Sequence, residues 1–263
     1  LEFYGDINFM KGGILFSDII TTVSPTYAQE IQTYRFGEHL EGVLSIRSES
    51  LYGILNGIDY EVFGPQRTAI TQHPFSKDNL TGKSIAKAEL QTKLGLPQRS
   101  DIPLIGIITR LVSQKGLDIF SKISDLVFMQ NLQMVILGTG QPEYEEMALR
   151  LSRKYPDKVS ANITFDIDLA NQIYVGSDLF LMPSKYEPCG LGQLFSLRMG
   201  TIPIAHLTGG LADTVREFKP ETADGNGFAF SEYKVSELLY AILRGLYFYQ
   251  NKTQWKELIK NAM

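Results

Sequence analysis

The feature that most constrains the fold is a regular alternation of short apolar runs and amphipathic stretches through the second part of the chain. The runs are rich in branched side chains, as buried strands of a parallel sheet are. Between them, apolar residues recur at three- and four-residue spacings, which is typical of helices packed on a sheet. Strands that alternate with helices predict an α/β fold, a doubly wound parallel Rossmann-like sheet. The predicted strands are residues 104–108, 134–137, 159–165, 179–182 and 202–205, and the predicted helices between them are 118–129, 143–154, 169–175 and 191–199.

The chain divides into three regions by pattern. Residues 1–59 carry separate helix and strand signals and are interpreted as the end of a preceding domain with its hinge. Residues 60–100 contain prolines and glycines among polar residues, which indicates a connector. Residues 101–263 form the C-terminal domain. Further predicted elements are a helix then a strand in 14–24, a helix over 27–34, a strand over 51–56, and helices over 83–94, 235–249 and 255–263.

Composition narrows the range of partners. The chain has 263 residues, 44% hydrophobic and 21% charged, and can bury a sizeable core. A net charge of −4 without a basic stripe argues against nucleic acid and an acidic membrane surface, and no apolar run approaches the roughly 18 residues of a membrane span. One cysteine and three scattered histidines leave no disulfide framework and no zinc-type cluster. We therefore expect metal-free chemistry without a cofactor in a reducing compartment, and the start at Leu1 leads us to expect a piece of a longer protein.

The stretch 184–194 places a carboxylate, Glu187, after an apolar run and before helix-opening glycines. The amides of Gly190, Leu191 and Gly192 would face outward at the first turn of a helix, where anions are stabilised. Glu187 would then accept hydrogen bonds from sugar hydroxyls beside that turn. This layout predicts a site for a sugar attached to a phosphate. The alternative is that Glu187 caps the helix and the glycines only make a tight turn.

Arg110 and Lys115 follow the first predicted strand of the alternation and precede a helix. Two cations at this spacing could grip one diphosphate from two sides, arginine through a bidentate fork and lysine as a flexible point charge. On spacing alone, a pair of solvated loop charges would be the better interpretation. Their place at the carboxyl end of a parallel strand, where ligands bind in such sheets, favours the phosphate site.

Three further loops are predicted to leave strands at the same edge of the sheet. Gly138 and Gly140 form a turn that would let a nucleotide base or sugar approach the backbone, or simply a tight turn; a glutamate occupies the third glycine position of an NAD fingerprint. Phe165 could stack on a base or belong to the core. Thr208 and Gly209 open a helix, and their N–H groups could bind a phosphate oxygen or a sugar hydroxyl.

Taken together, these motifs resemble bacterial and plastid glycogen (starch) synthases over nearly the whole chain. Other landmarks of the resemblance are residues 22–27, 53–59 and 109–118. That family has two Rossmann-like GT-B domains with the active site between them, and it transfers glucose from ADP-glucose to the non-reducing end of an α-1,4-glucan with retention of configuration. It needs no essential metal. The resemblance implies ADP-glucose, ADP and the glucan as partners, and a location in the bacterial cytoplasm or the plastid stroma.

The resemblance also implies roles for individual residues. Arg110 and Lys115 would hold the diphosphate and stabilise the leaving ADP by opposing its developing charge. Glu187 would orient the donor glucose, Asn56 would reach the glucose from the hinge, and Phe165 would lie near the adenine. The amides of the glycine-rich turn after Glu187 would contact phosphate or glucose.

Two departures from the family pattern shape the expected activity. The broader retaining-transferase pattern has a second glutamate eight residues after the first, whereas this chain has Phe195, as members of the starch-synthase branch do. The Lys-x-Gly-Gly-Leu loop of the family's first domain is missing, since the segment at Lys11 lies in a different place. We expect the chain to bind nucleotide sugar but, without the N-terminal catalytic half, to transfer little or no glucose. The alternatives are a retaining GT-B enzyme that uses UDP-glucose, and a nucleotide-sugar or glucan-binding module without catalysis.

Overall fold

The computed structural model describes residues 1–67 and 70–263. The strands are β1 (Glu2–Phe3), β2 (Asp6–Ile7), β3 (Ile20–Thr22), β4 (Leu51–Gly53), β5 (Leu104–Ile108), β6 (Gln133–Leu137), β7 (Val159–Asn162), β8 (Leu179–Met182), β9 (Ile202–His206) and β10 (Phe228–Phe230). The α-helices are α1 (Phe9–Phe16), α2 (Pro25–Glu30), α3 (Glu41–Ile46), α4 (Thr81–Lys93), α5 (Leu117–Phe128), α6 (Pro142–Lys154), α7 (Ile167–Gly176), α8 (Gly192–Arg198), α9 (Gly209–Thr214), α10 (Val235–Gln250) and α11 (Lys252–Ala262).

A parallel sheet of six described strands forms the centre of the C-terminal region, in the order β10-β9-β8-β5-β6-β7. From β5 the chain winds outward to β6 and β7, and then returns to build β8, β9 and β10 on the other side. The strand order therefore reverses between β5 and β8. In open α/β sheets, ligands bind in the crevice outside the carboxyl ends of the strands at such a switch point. The predicted doubly wound fold class is confirmed.

The sheet is covered on both faces, which explains why its strands read as unbroken apolar runs. Successive side chains of β6 point to opposite faces: Met134 and Ile136 join the core beneath α5, α6 and α10, and Val135 and Leu137 join the core beneath α4 and α7. Because both faces are buried, the side chains of β6 are apolar except Gln133 at its start, which is hydrogen-bonded to Gln91 and to the carbonyl of Pro97.

The strand predictions differ from the structure in several places, one being the strand predicted over 51–56, which ends at Gly53. The strand predicted to end at residue 165 leaves the sheet after Asn162, so that Phe165 is 85% exposed. The edge strand β10 was not predicted, because it has only three residues and follows a glycine-containing polar stretch. It pairs with β9 through Phe228 opposite Ile204.

The N-terminal segment has a small core of its own. Strands β3 and β4 pair in parallel, and Ala28, Leu40, Leu44 and Leu51 pack together. The helix predicted over 27–34 is shorter, since α2 begins after Ser24, whose hydroxyl caps it, and ends at Glu30. The short helix α3 was not predicted. Helix α2 lies directly against α9 of the C-terminal region.

Candidate functional site

Two adjoining cavities open at the carboxyl ends of β5, β6 and β8. The first, called here the charged cavity, has a volume of about 250 Å³ and is lined by residues that include Arg110, Lys115 and Glu187. The second, the apolar cavity, has a volume of about 380 Å³ and lies beside Phe165. Both share Arg110 and Tyr174 in their walls, so they form one continuous cleft. The cleft lies at the switch point between β5 and β8.

Glu187 is the centre of the charged cavity. Lys115 Nζ donates to Glu187 Oε2 at 2.6 Å, and Ser184 Oγ donates to the same oxygen at 3.1 Å. The side chains of Lys115 and Glu187 are only 17% and 11% exposed. Because this ion pair is largely shielded from water, it fixes the carboxylate more firmly than a surface pair would. The structure thus brings together two residues predicted from separate loops.

Arg110 has a different environment. It is exposed, and it forms no salt bridge within the described part of the chain. Lys115, in contrast, is already opposed by a carboxylate. An incoming anion would therefore meet the arginine as an unopposed positive charge at the mouth of the charged cavity.

A glycine allows the two loops of this cavity to meet. Gly116 has φ +79°, and its Cα lies so close to the carbonyl of Pro183 that no Cβ would fit. Lys185 N donates to Gln114 O at 2.8 Å and joins the same loops. The loop after β5 is thereby held against the loop after β8, which places Lys115 beside Glu187.

The turn before α8 presents its backbone to the charged cavity. Gly190, Leu191 and Gly192 line the cavity, and no side chain caps the first turn of α8. The buried Gln193 donates to the carbonyls of Cys189 and Gly190 at 3.0 and 2.9 Å and fixes the turn. Amides at the start of a helix favour anions, and this arrangement could contact a phosphate or a sugar hydroxyl.

The apolar cavity is lined by Gly138 and by several aromatic rings. Phe63 and Phe195 pack with ring centroids 4.3 Å apart, and Tyr174 meets Phe195 edge-on at 5.7 Å. Burial raises the pKa of Tyr174, so its hydroxyl stays protonated. The exposed ring of Phe165 stands at the opening. A flat, largely apolar group would fit this wall.

Four predicted residues lie outside the lining of both cavities: Asn56, Gly140, Thr208 and Gly209. Asn56 is exposed. Gly140 N donates to Glu145 Oε1 at 2.7 Å. The predicted donors of the Thr208 loop are used within the protein, because Thr208 Oγ1 and Gly209 N both donate to Glu30 Oε1, at 2.9 and 3.1 Å. The sequence gives no sign that α2 docks on this loop.

Sequence reasoning also missed Ser184, Tyr174 and Phe63 as parts of the cleft. In the sequence, Ser184 is only the first residue of the stretch 184–194 that contains Glu187. Tyr174 lies within an ordinary amphipathic helix. Phe63 lies in the stretch 60–100 that the sequence predicts as a connector, and it joins the cleft by packing on Phe195. Aromatic side chains at helical spacing usually indicate core, so no sequence signal separates Tyr174 from core residues.

A larger cavity, of about 500 Å³, lies between α4 and α7. Its described lining contains none of the predicted residues, and it includes one cation, Lys93, and two carboxylates, Glu89 and Asp168. It therefore offers little to an anion.

Across residues 1–67 and 70–263, no cluster of three histidine, cysteine or acidic side chains could hold a metal ion. Of the helices described, none is long and apolar enough to cross a membrane.

Comparison with solved structures identifies the class of protein. The catalytic domain of starch synthase IV from Arabidopsis thaliana, bound to ADP and acarbose, matches 98% of this chain with a TM-score of 0.91 and 37% identity, over 54% of its own length. HepE from Anabaena, in complex with UDP and glucose, matches 95% of the chain over 58% of its own length, with a TM-score of 0.64 and 19% identity, a likeness of fold alone. The fold is that of the C-terminal domain of GT-B glycosyltransferases.

The family models and curated relatives agree with this class. The chain belongs to the group 1 glycosyl transferases, whose model matches residues 91–262, and the starch synthase catalytic domain matches residues 1–46. Glycogen synthases of Pseudothermotoga lettingae and Thermotoga maritima are 57% and 52% identical over all of this chain. The chain spans 54% of each of these relatives. The resemblance to glycogen and starch synthases is confirmed.

Proposed function

We propose that this chain is the nucleotide-sugar-binding half of a glycogen synthase, a hexosyltransferase that transfers glucose from ADP-glucose to the non-reducing end of an α-1,4-glucan with retention of configuration. Relatives that are 57% and 52% identical to this chain are named glycogen synthase. The similar starch synthase IV was solved with ADP and acarbose. The observation that carries the proposal is the cleft at the switch point, where Arg110, Lys115 and Glu187 converge.

The diphosphate of the donor lies in the charged cavity. Arg110 meets it through its planar fork, and Lys115 reaches it while remaining close to Glu187. As the bond from glucose to the diphosphate breaks, negative charge grows on the leaving ADP. The two side chains and the amides before α8 oppose that charge, so they stabilise the transition state more than the ground state. No metal is needed for this step.

The glucose lies beside Glu187. Lys115 and Ser184 both donate to Oε2 of that carboxylate, which leaves Oε1 to accept from sugar hydroxyls. The adenine enters the apolar cavity and stacks on Phe165. Asn56 and the glucan acceptor meet the donor only when the rest of the first domain covers the cleft, and the chain alone is therefore inactive.

The test is calorimetric titration of the 263-residue chain with ADP and, separately, with UDP, each with and without EDTA. We expect ADP to bind more tightly than UDP and EDTA to have no effect. Arg110→Ala should weaken ADP binding by about 1.5–3 kcal/mol, the range for hydrogen bonds to charged groups. Arg150→Ala, an exposed arginine on α6 outside the cleft, is the matched control.

Each outcome bears on the proposal. Preference for UDP would favour the second candidate, a UDP-glucose-dependent enzyme of the same architecture. Equal affinity of the Arg110 and Arg150 variants would refute the diphosphate assignment. Glucan elongation by the longer parent, assayed with ADP-glucose, separates an enzyme from a binding module without catalysis.

A further inference from the structure

Two carboxylates join the N-terminal segment to the rim of the cleft. Glu30, the last residue of α2, accepts from Thr208 Oγ1 at 2.9 Å and from Gly209 N at 3.1 Å, at the start of α9. Asp213, near the end of α9, accepts from Thr26 Oγ1 at 2.6 Å and from Thr26 N at 3.2 Å, and also from Ser24 Oγ, at the start of α2. Each helix thus supplies a carboxylate to the first turn of the other.

The exchange of carboxylates suits the physics of these two helices. Each has only six residues, too few to be stable alone. The first turn of a helix carries unpaired N–H groups and partial positive charge, which a carboxylate stabilises. Thr208 makes no side-chain cap to its own helix and instead donates to Glu30. Ser24 and Thr208 are 0% and 1% exposed, so neither hydroxyl can turn to water instead.

The same contacts lead to the donor site. Next to Gly209, the amide of Gly210 donates to the carbonyls of Glu187 and Pro188 at 3.2 and 3.1 Å. Gly209 itself lies so close to the Glu187 carbonyl that a Cβ would not fit. Glu30 is therefore one loop residue away from the backbone of Glu187. A shift of the loop 208–210 would shift Glu187 with it.

We propose that Glu30 and Asp213 form a reciprocal helix lock, and that Glu30 is a positioning residue which, through the loop 208–210, holds Glu187 in place for the nucleotide sugar. This rests on the proposed function for the ligand, whereas the lock itself does not. Neither carboxylate touches the substrate. The lock makes the order of the N-terminal segment and the geometry of the donor site depend on each other.

The test uses amide NMR and ADP titration of the 263-residue chain with Glu30→Gln, a nearly isosteric change. The Gly209 amide proton should lose the downfield shift that a charged acceptor causes, and it should exchange with solvent about tenfold faster. ADP affinity should fall about fivefold, as for residues coupled to a site without touching it. The control is Glu257→Gln, which removes an exposed carboxylate paired with Lys260 on α11 and should change neither quantity.

A second variant separates the lock from simple loss of stability. In Asp213→Asn the Thr26 amide should exchange faster, while the thermal unfolding midpoint reports the stability cost independently. If Glu30→Gln lowers the midpoint but leaves the Gly209 signal and ADP affinity like those of the Glu257 variant, the proposal is overturned. If the unaltered chain binds no ADP, the proposed function fails, and the Gly209 and Thr26 exchange rates alone decide whether the lock exists.

Discussion

Two lysines in this molecule occupy opposite kinds of environment. Lys115 lies in the charged cavity, where its main partner is the carboxylate of Glu187. Lys83 belongs to α4, and its Nζ donates to the backbone carbonyls of Val175, Ser177 and Met199 at 2.9, 2.8 and 3.0 Å and to Thr201 Oγ1 at 2.7 Å. Both side chains are shielded from water, but only Lys115 lines a cleft.

The difference shows what each cation is for. The carbonyls around Lys83 belong to the C-terminal ends of α7 and α8, where the helix dipole favours positive charge, but burial outweighs this effect and lowers the pKa of Lys83. These acceptors are part of the backbone and cannot move away, so Lys83 joins α4 to the ends of two helices. Its Nζ has no free position for a ligand. Lys115 faces a single carboxylate beside an open cavity and can share its charge with an arriving anion. The backbone carbonyls that hold Lys83 indicate a structural role. The single carboxylate that holds Lys115 beside an open cavity indicates a role in binding.

The largest expected effect comes from Lys83→Met, which keeps the length of the side chain and removes the donor. At pH 9, where the buried amine of Lys83 is neutral, several buried carbonyls lose their donor at about 1–3 kcal/mol each, so the free energy of unfolding should fall by about 3 kcal/mol or more. Denaturant titration measures it, and Lys93→Met, an exposed position on the same helix, should cost far less. ADP affinity of the folded protein should stay near that of the unaltered chain. If Lys83→Met lowers the free energy of unfolding no more than Lys93→Met does, Lys83 has no special structural role.

Lys115→Met should show the opposite profile. ADP binding should weaken by about 1.5–3 kcal/mol, because a charged donor to the diphosphate is lost. The free energy of unfolding should fall by less than in Lys83→Met, since Glu187 lines an open cavity and Ser184 still donates to it. Calorimetry and denaturant titration on one preparation give both values. A large loss of stability with unchanged affinity would place Lys115 with Lys83 as a structural cation.

The sequence predicts the parallel sheet and the position of the cleft better than the contacts of the individual lysines. Strands β5 and β8 match their predicted bounds because both faces are buried and each run ends sharply. Arg110, Lys115 and Glu187 could be placed on one rim because each follows a strand by only a few residues. Fold and rim therefore follow from local pattern and from the rule for parallel sheets.

What the sequence could not predict depends on contacts between distant segments. Glu30 engages Gly209 from 179 positions away, and nothing near either residue indicates it. Lys83 reads as an ordinary lysine of an amphipathic helix, and its burial follows only from the docking of α4 on α7. Phe63 joins the cleft by packing on Phe195, which is 132 positions away. Pairings of this kind are tertiary, and a single sequence carries no local signal for them.

The dependence of stability on pH offers a finer test of Lys83. Burial lowers the pKa of Lys83 from its ordinary value of 10.5 to about 7. Between these values the unfolded chain binds more protons than the folded chain, so the free energy of unfolding should rise as pH increases from about 7 toward 9. The slope contributed by this one group approaches about 1.4 kcal/mol per pH unit. In Lys83→Met that contribution should vanish; an identical slope in both proteins would show that Lys83 does not titrate in this window.

The smallest expected effect concerns Phe165, whose ring is 85% exposed at the apolar cavity. Exposed aromatic rings contribute little to folding, so Phe165→Ala should leave the free energy of unfolding within about 0.5 kcal/mol. If the ring stacks on adenine, ADP affinity should fall by about 0.5–1.5 kcal/mol, while inorganic pyrophosphate should bind unchanged. Phe165→Tyr keeps the ring and should retain the affinity for ADP. A parallel loss of ADP and pyrophosphate binding would mean that Phe165 acts through the charged cavity and not through the base, because only the nucleotide has a ring to stack.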